Sequence, residues 1–148
     1  VFGHLVNAGI VAAKENCTQY INVVLDNRLD KGQSVTFQAE VADEPDERAL
    51  GLMNRKKIDK NKGMLFVYHF PSAPQFWMKN TLIPLDVAYI NNRGEILEIY
   101  DMVPLSKKSV CSRNYAKYAL EVNSGWFKDN NINIGDVIDI ETAISNDD

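Results

Sequence analysis

The chain has 148 residues, 45% of them hydrophobic and 24% charged, which fits one globular domain and excludes a wholly disordered or fibrous protein. Twenty acidic against sixteen basic residues leave a formal charge of −4, a poor bulk balance for nucleic acid or an anionic membrane. About 68% of the unfolded surface can be buried at this length, so folding needs neither metal nor disulfide.

Three segments are expected: an apolar N-terminal arm over 1–18, one β-rich domain over 19–142 and an acidic tail over 143–148. The run from Val1 to Ala13 is apolar apart from His4 and Asn7, and it is too short to span a bilayer. It reads either as the end of an export signal or as a docking segment through which the chain assembles with a partner. Cys17 and Cys111 are the two cysteines, and no C-x-x-C pair is present, which argues against structural zinc and a dithiol redox motif. They are either separate thiols or a disulfide; the export reading favours a Cys17–Cys111 bond.

Along the body, 19–25 reads as a strand, 26–33 as a turn containing Gly32, and 34–41 as a strand. In the second strand Val35, Phe37, Ala39 and Val41 alternate with polar residues, and the pair predicts a hairpin. A short helix is predicted over 44–53, with Asp43 as N-cap, Pro45 in the first turn, and Ala49, Leu52 and Met53 inward. Five basic residues in 55–62 read as a solvated loop, since no aromatics interleave them. The apolar run 64–70 predicts a strand covered on both faces.

A short strand is predicted over 75–79. Strands at 86–91 and 95–103 flank Asn92-Arg93-Gly94, a hairpin signal. The stretch 105–115 is a polar loop, 118–122 a strand, 124–130 a short helix capped by Ser124, and 136–142 a last strand. The fold class is therefore α+β and β-rich: a single compact domain with a strongly rolled or barrel-like, mostly antiparallel sheet and two short helices.

Candidate site residues lie where this patterning conflicts with burial. Trp77 and Lys79 share one face of the predicted 75–79 strand, and a buried ammonium must be paired, reach solvent or line a pocket. Asn80 follows at the strand end, Asp86 opens the next strand, Glu121 lies within an apolar strand, and Arg48 projects from the short helix. Arg48, Trp77, Lys79, Asn80, Asp86 and Glu121 thus make either a set of internal ion pairs or a ligand-binding patch with an indole wall.

The same residues resemble the bacterial and archaeal domain-of-unknown-function family 192. The likeness runs through Glu47-Arg48, Gly51-Leu52-Met53, Gly63-Met64-Leu65-Phe66, Phe76-Trp77-Met78-Lys79-Asn80-Thr81, Pro84-Leu85-Asp86, Leu120-Glu121, Gly125 and Gly135-Asp136, over about residues 33–142. It implies a small β-rich, barrel-like domain, often exported, and supplies no activity. Cys17 and the arm lie outside it.

The expected function is a non-catalytic binding or accessory domain outside the cytoplasm, periplasmic or secreted, with membrane association as an option. Its patch would contact a small polar ligand or a partner protein, with no cofactor, metal or nucleic acid and no transmembrane span. The alternatives are a hydrolase-type enzyme using Asp86 and Glu121 as acid and base, or a purely structural subunit of a larger assembly. No P-loop, dinucleotide fingerprint, G-x-S-x-G or H-E-x-x-H occurs.

Overall fold

The computed structural model describes residues 20–27 and 33–140. Cys17, the apolar arm and the acidic tail lie outside these residues. Strand β1 (Tyr20–Asn27) pairs antiparallel with β2 (Gln33–Ala42), as the alternating pattern predicts.

Helix α1 (Pro45–Leu50) follows. Its N-cap is Glu44, one residue later than expected. The Glu47 carboxylate reaches back to accept the backbone N–H groups of Glu44 (3.0 Å) and Asp43 (3.3 Å), neutralising donors that the first turn leaves unpaired. The helix stops before Met53 because Gly51 takes a positive φ of 51°, while its N–H still reaches the Glu47 carbonyl at 3.0 Å.

Strand β3 (Lys62–Ser72) runs parallel to β2, with Gln38 opposite Lys62 and Ala42 opposite Phe66. It is buried from Gly63 to Phe66 only; His69, Phe70 and Pro71 are exposed, so the two-sided cover expected over 64–70 ends halfway. The predicted 75–79 strand shrinks to β4 (Gln75–Phe76), which pairs with β7 (Val110–Cys111) in a separate small sheet. Trp77 and Lys79 therefore lie in the connection beyond that strand.

The hairpin β5 (Leu85–Ile90) and β6 (Ile96–Met102) forms as expected. The Asn91 side-chain oxygen accepts the N–H groups of Arg93 (2.9 Å) and Glu95 (3.0 Å), which tightens the turn. Strand β8 (Ala116–Asn123) inserts between β3 and β5. Helix α2 (Trp126–Asp129) and strand β9 (Val137–Ile138) end the described chain. The α2 N-cap is Gly125 at φ 85°, displacing the predicted Ser124.

The main sheet has the order β6-β5-β8-β3-β2-β1-β9. Its edges meet at one bridge, Glu95 to Val137, where Gly94 is required: a Cβ there would stand 2.1 Å from the Ile138 carbonyl oxygen. No ladder extends from that bridge, so the sheet is open and mostly antiparallel, and the predicted barrel-like roll is corrected. A closed barrel needs continuous pairing between first and last strands, which the two-residue β9 does not provide.

Both faces of the sheet are covered. One carries Phe37, Leu65, Ala88, Ile90, Leu120 and Val122 against Trp126 and Phe127 of α2. The other carries Met64, Phe66, Leu85, Val87, Tyr89 and Ala119 against Leu52, Phe76, Met78 and Ile83. Burying one large apolar side chain contributes about 1.5–3 kcal/mol, so these two layers dominate the stabilisation. Every residue of β5 is buried. A charge on β5 or β8 therefore enters an apolar layer.

Candidate functional site

The ladder register decides which candidate residues can meet. Asp86 pairs with Val122, whereas Glu121 pairs with Val87. Side chains alternate between faces, so the Asp86 and Glu121 carboxyls point to opposite sides of the sheet. They share no cleft, and the acid–base pairing considered from the sequence is not assembled.

Asp86 lies on the α2 face. Its Oδ2 accepts the N–H of Gly125, the residue that stands at the α2 N-cap in place of Ser124, at 2.9 Å. Across β6 its ladder partner is Asp101. Like charges directly opposite repel unless a proton is shared. Burial raises the Asp86 pKa to about 6; the Gly125 N–H opposes that shift and the Asp101 carboxyl adds to it.

Glu121 occupies the other face. Gly63 on β3 lets the strands close there, since a Cβ at that position would lie 2.4 Å from the Glu121 backbone oxygen. Glu121 is 2% exposed, and burial pushes its carboxyl up to about 8, so it is protonated at neutral pH. Tyr68 and Tyr89 lie within its field, and burial, as the larger cause, also raises both phenols above their usual range.

Arg48 is tied inward. Its Nη1 donates to the Asp43 carbonyl (2.6 Å) and the Val67 carbonyl (3.1 Å), and its guanidinium lies 5.2 Å from the Tyr68 ring centroid. It clamps the start of α1 to β3, a packing task more than a ligand contact. The Tyr68 hydroxyl beneath it is buried without a hydrogen-bond partner among the described residues.

Trp77, Lys79 and Asn80 form the third group. The Thr81 N–H donates to the Met78 carbonyl (3.1 Å) and the Thr81 hydroxyl to the Lys79 carbonyl (3.0 Å), closing a tight turn. Asn80 sits in it at φ 54°, a conformation asparagine tolerates, and its carbonyl accepts the Asn54 N–H at 2.8 Å. The Lys79 ammonium lies 5.3 Å from the Trp77 ring centroid, and no acidic partner for it occurs among the described residues. Trp77 Nε1 is buried without a hydrogen-bond partner among them.

The six candidates thus fall into three places: Arg48 and Glu121 on one face, Asp86 on the other, and Trp77, Lys79 and Asn80 in a turn. Cys111 is a free, exposed thiol, and Cys17, its expected partner, lies outside the described residues. Among the described residues no group of three or more His, Cys, Asp or Glu could hold a metal, and no helix is long and apolar enough to cross a membrane.

Sequence reasoning missed Glu98. This buried carboxylate accepts the Tyr100 hydroxyl, the Ser112 hydroxyl (3.1 Å), the Arg113 N–H (3.0 Å), the Asn114 N–H (3.0 Å) and the Asn114 side-chain amide (2.9 Å). Burial alone would raise its pKa; those donors together override it and bring the carboxyl down to about 2. Also missed was a cleft of about 550 Å³ bordered by Met78, Tyr100, Asp101, Val103, Ser106, Lys108, Cys111 and Arg113. A glutamate between Leu97 and Ile99 was the one available signal for the first.

A family model, DUF192 (Uncharacterized ACR, COG1430), matches residues 27–140. A crystal structure from Sinorhizobium meliloti 1021, described as a "putative transcription regulator", is 32% identical with a TM-score of 0.79. That likeness covers 82% of this chain and 94% of the other. A protein of unknown function from Novosphingobium aromaticivorans DSM 12444 is 28% identical with a TM-score of 0.75, covering 80% of this chain and 84% of its own. No curated protein matches the chain.

Proposed function

The chain belongs to the DUF192 family, and on that premise we propose that it is a non-catalytic binding domain whose contact point is the Trp77–Lys79–Asn80 turn. One observation carries the reading: the Lys79 ammonium rests on the Trp77 indole with no acidic partner among the described residues. An indole holds a cation without neutralising it, so the ammonium keeps its charge for an anionic or polar group brought from outside. The adjoining Asn80 is exposed and adds an amide that can donate and accept. A small polar ligand such as a carboxylate or a sugar suits this combination; a partner protein presenting an acidic side chain would use the same contacts.

Asp86, Glu121 and Arg48 lie apart from that turn: the two carboxyls are buried on opposite faces of the sheet, and Arg48 is bonded to the Asp43 and Val67 carbonyls. Their separation removes the strongest argument for acid–base catalysis. The term regulator belongs to the Sinorhizobium protein, and the charge of −4 here gives no general attraction to nucleic acid. The site of action is read as outside the cytoplasm, on the apolar character of residues 1–13 alone.

Native mass spectrometry of the protein purified from its source tests the reading. A ligand mass is expected on the wild-type chain, absent from Trp77→Ala and Lys79→Ala. Both variants should melt within about 3 °C of wild type, because neither side chain is in the buried layers. Retention of the ligand by both variants, or loss of the fold in both, would refute the proposal.

A further inference from the structure

At one end of the molecule two loops are held side by side. The Met78 N–H donates to the Ser106 carbonyl (2.8 Å), and the Leu105 N–H donates to the Thr81 carbonyl (3.0 Å). Three aliphatic side chains stand out from these loops: Leu82 is 50% exposed, Val103 68% and Leu105 58%. Leu105 does so at φ 64°, a backbone conformation that a branched residue seldom adopts.

Beside them opens the cleft of about 550 Å³. Val103 is on its wall, as are Lys108 and Arg113, with Ser106 and Ser109 between. Lys107 is exposed next to it. The whole chain is acidic, yet this end exposes Lys107, Lys108 and Arg113 against Asp101, which faces Asp86 across the β5–β6 ladder, while the Glu98 carboxylate is buried beneath the 112–114 segment and occupied by its donors. Charge of the minority sign is thus gathered where aliphatic surface is also gathered.

The geometry points to docking of this end on an anionic lipid surface. Leu82, Val103 and Leu105 enter the boundary between headgroups and acyl chains, while a headgroup phosphate sits in the cleft against Lys108 and Arg113. Two physical reasons favour lipid over a protein partner. Three side chains on loop tips fall far short of the roughly 800 Å² per partner that a stable protein interface takes. Lysine is depleted at such interfaces, whereas aliphatic tips flanked by basic residues suit an anionic bilayer. The net charge of −4 opposes this only at long range, since contacts within a Debye length, about 10 Å at 0.1 M salt, are set by the local residues. The inference uses other side chains than the ligand proposed for Trp77 and Lys79, although the Met78–Thr81 turn borders both.

Co-sedimentation of the full chain with vesicles tests it. Vesicles of phosphatidylcholine mixed with phosphatidylglycerol should retain the protein about tenfold more strongly than phosphatidylcholine alone. The double variant Leu82→Asp, Leu105→Asp should fall to the phosphatidylcholine level, and Lys108→Glu, Arg113→Glu should lose about tenfold, both with unchanged melting curves. Equal retention on the two vesicle types, or anionic binding kept by both double variants, would overturn it. So would inorganic phosphate slowing alkylation of Cys111 in a Cys17→Ser background while vesicles retain nothing, which would assign the cleft to a soluble anion.

Discussion

Glu98 and Glu121 are both buried glutamates and both act on Tyr89, yet the structure holds them in opposite protonation states. Glu98 lies near the sheet edge, where the loop before β8 folds over it and turns hydroxyls and backbone N–H groups inward. Glu121 lies on a central strand flanked by Met64 and Val87, and neighbouring strands consume the backbone donors there. Burial raises both carboxyls; the difference is the local supply of donors. Glu98 is therefore a structural knot where a loop covers it, and Glu121 a neutral polar residue where a ladder does.

The largest expected effect comes from removing the knot. Glu98→Ala leaves several donors of the 112–114 segment unpaired and should cost about 3 kcal/mol at pH 7, measured by urea denaturation. The wild type should lose the same stability with acid. Its carboxyl is held at about 2 in the fold against an ordinary 4.5, so the contribution is complete above 4.5 and fades as pH falls toward 2. Glu98→Ala and wild type should converge there. If the gap persists at low pH, the carboxylate is not what holds the loop.

Glu121→Gln should act in the reverse sense. The folded pKa of about 8 lies above the ordinary 4.5, so wild type is least affected below 4.5 and loses stability as pH rises from 4.5 through 8. Glutamine copies the protonated form, and the variant should be more stable by about 2 kcal/mol at pH 6 and nearly equal to wild type at pH 4. Parallel stability curves across that range would show that Glu121 is already ionised in the fold.

The smallest effect concerns the Asp86–Asp101 pair. Asp101→Asn removes the like charge and should lower the Asp86 midpoint from about 6 by about one unit or less, with burial keeping it above the ordinary 3.8. The Gly125 amide, which donates to Asp86, reports that titration by NMR. An unmoved midpoint would show that the two carboxyls do not interact.

Much of this contrast was hidden in the sequence for a definable reason. A bulge shifts the β5–β6 register between Tyr89 and Ile90: Ile96 pairs with Ile90 in one apolar layer, and Glu98 pairs with Tyr89 in the other. Simple alternation puts Ile96 and Glu98 on the same face, so the place of Glu98 between Leu97 and Ile99 hinted at burial but not at the layer it enters. The separation of Asp86 from Glu121 depends on which strand lies beside which. That pairing is non-local, since β8 inserts between β3 and β5 from far along the chain.

Local chemistry was enough for the β1–β2 hairpin, the Asn92-Arg93-Gly94 turn, the two short helices, the β-rich class and the family resemblance, because alternation, turn residues and capping act over a few positions. Only tertiary contacts could end β4 at Phe76, leave the sheet open and move the cap of α2 to Gly125 under Asp86. The same contacts turned one expected patch into two buried carboxyls on opposite faces and a separate cationic turn. Burial, strand register and the direction of a charged side chain are properties of neighbours distant in sequence, and no periodicity in the chain encodes them.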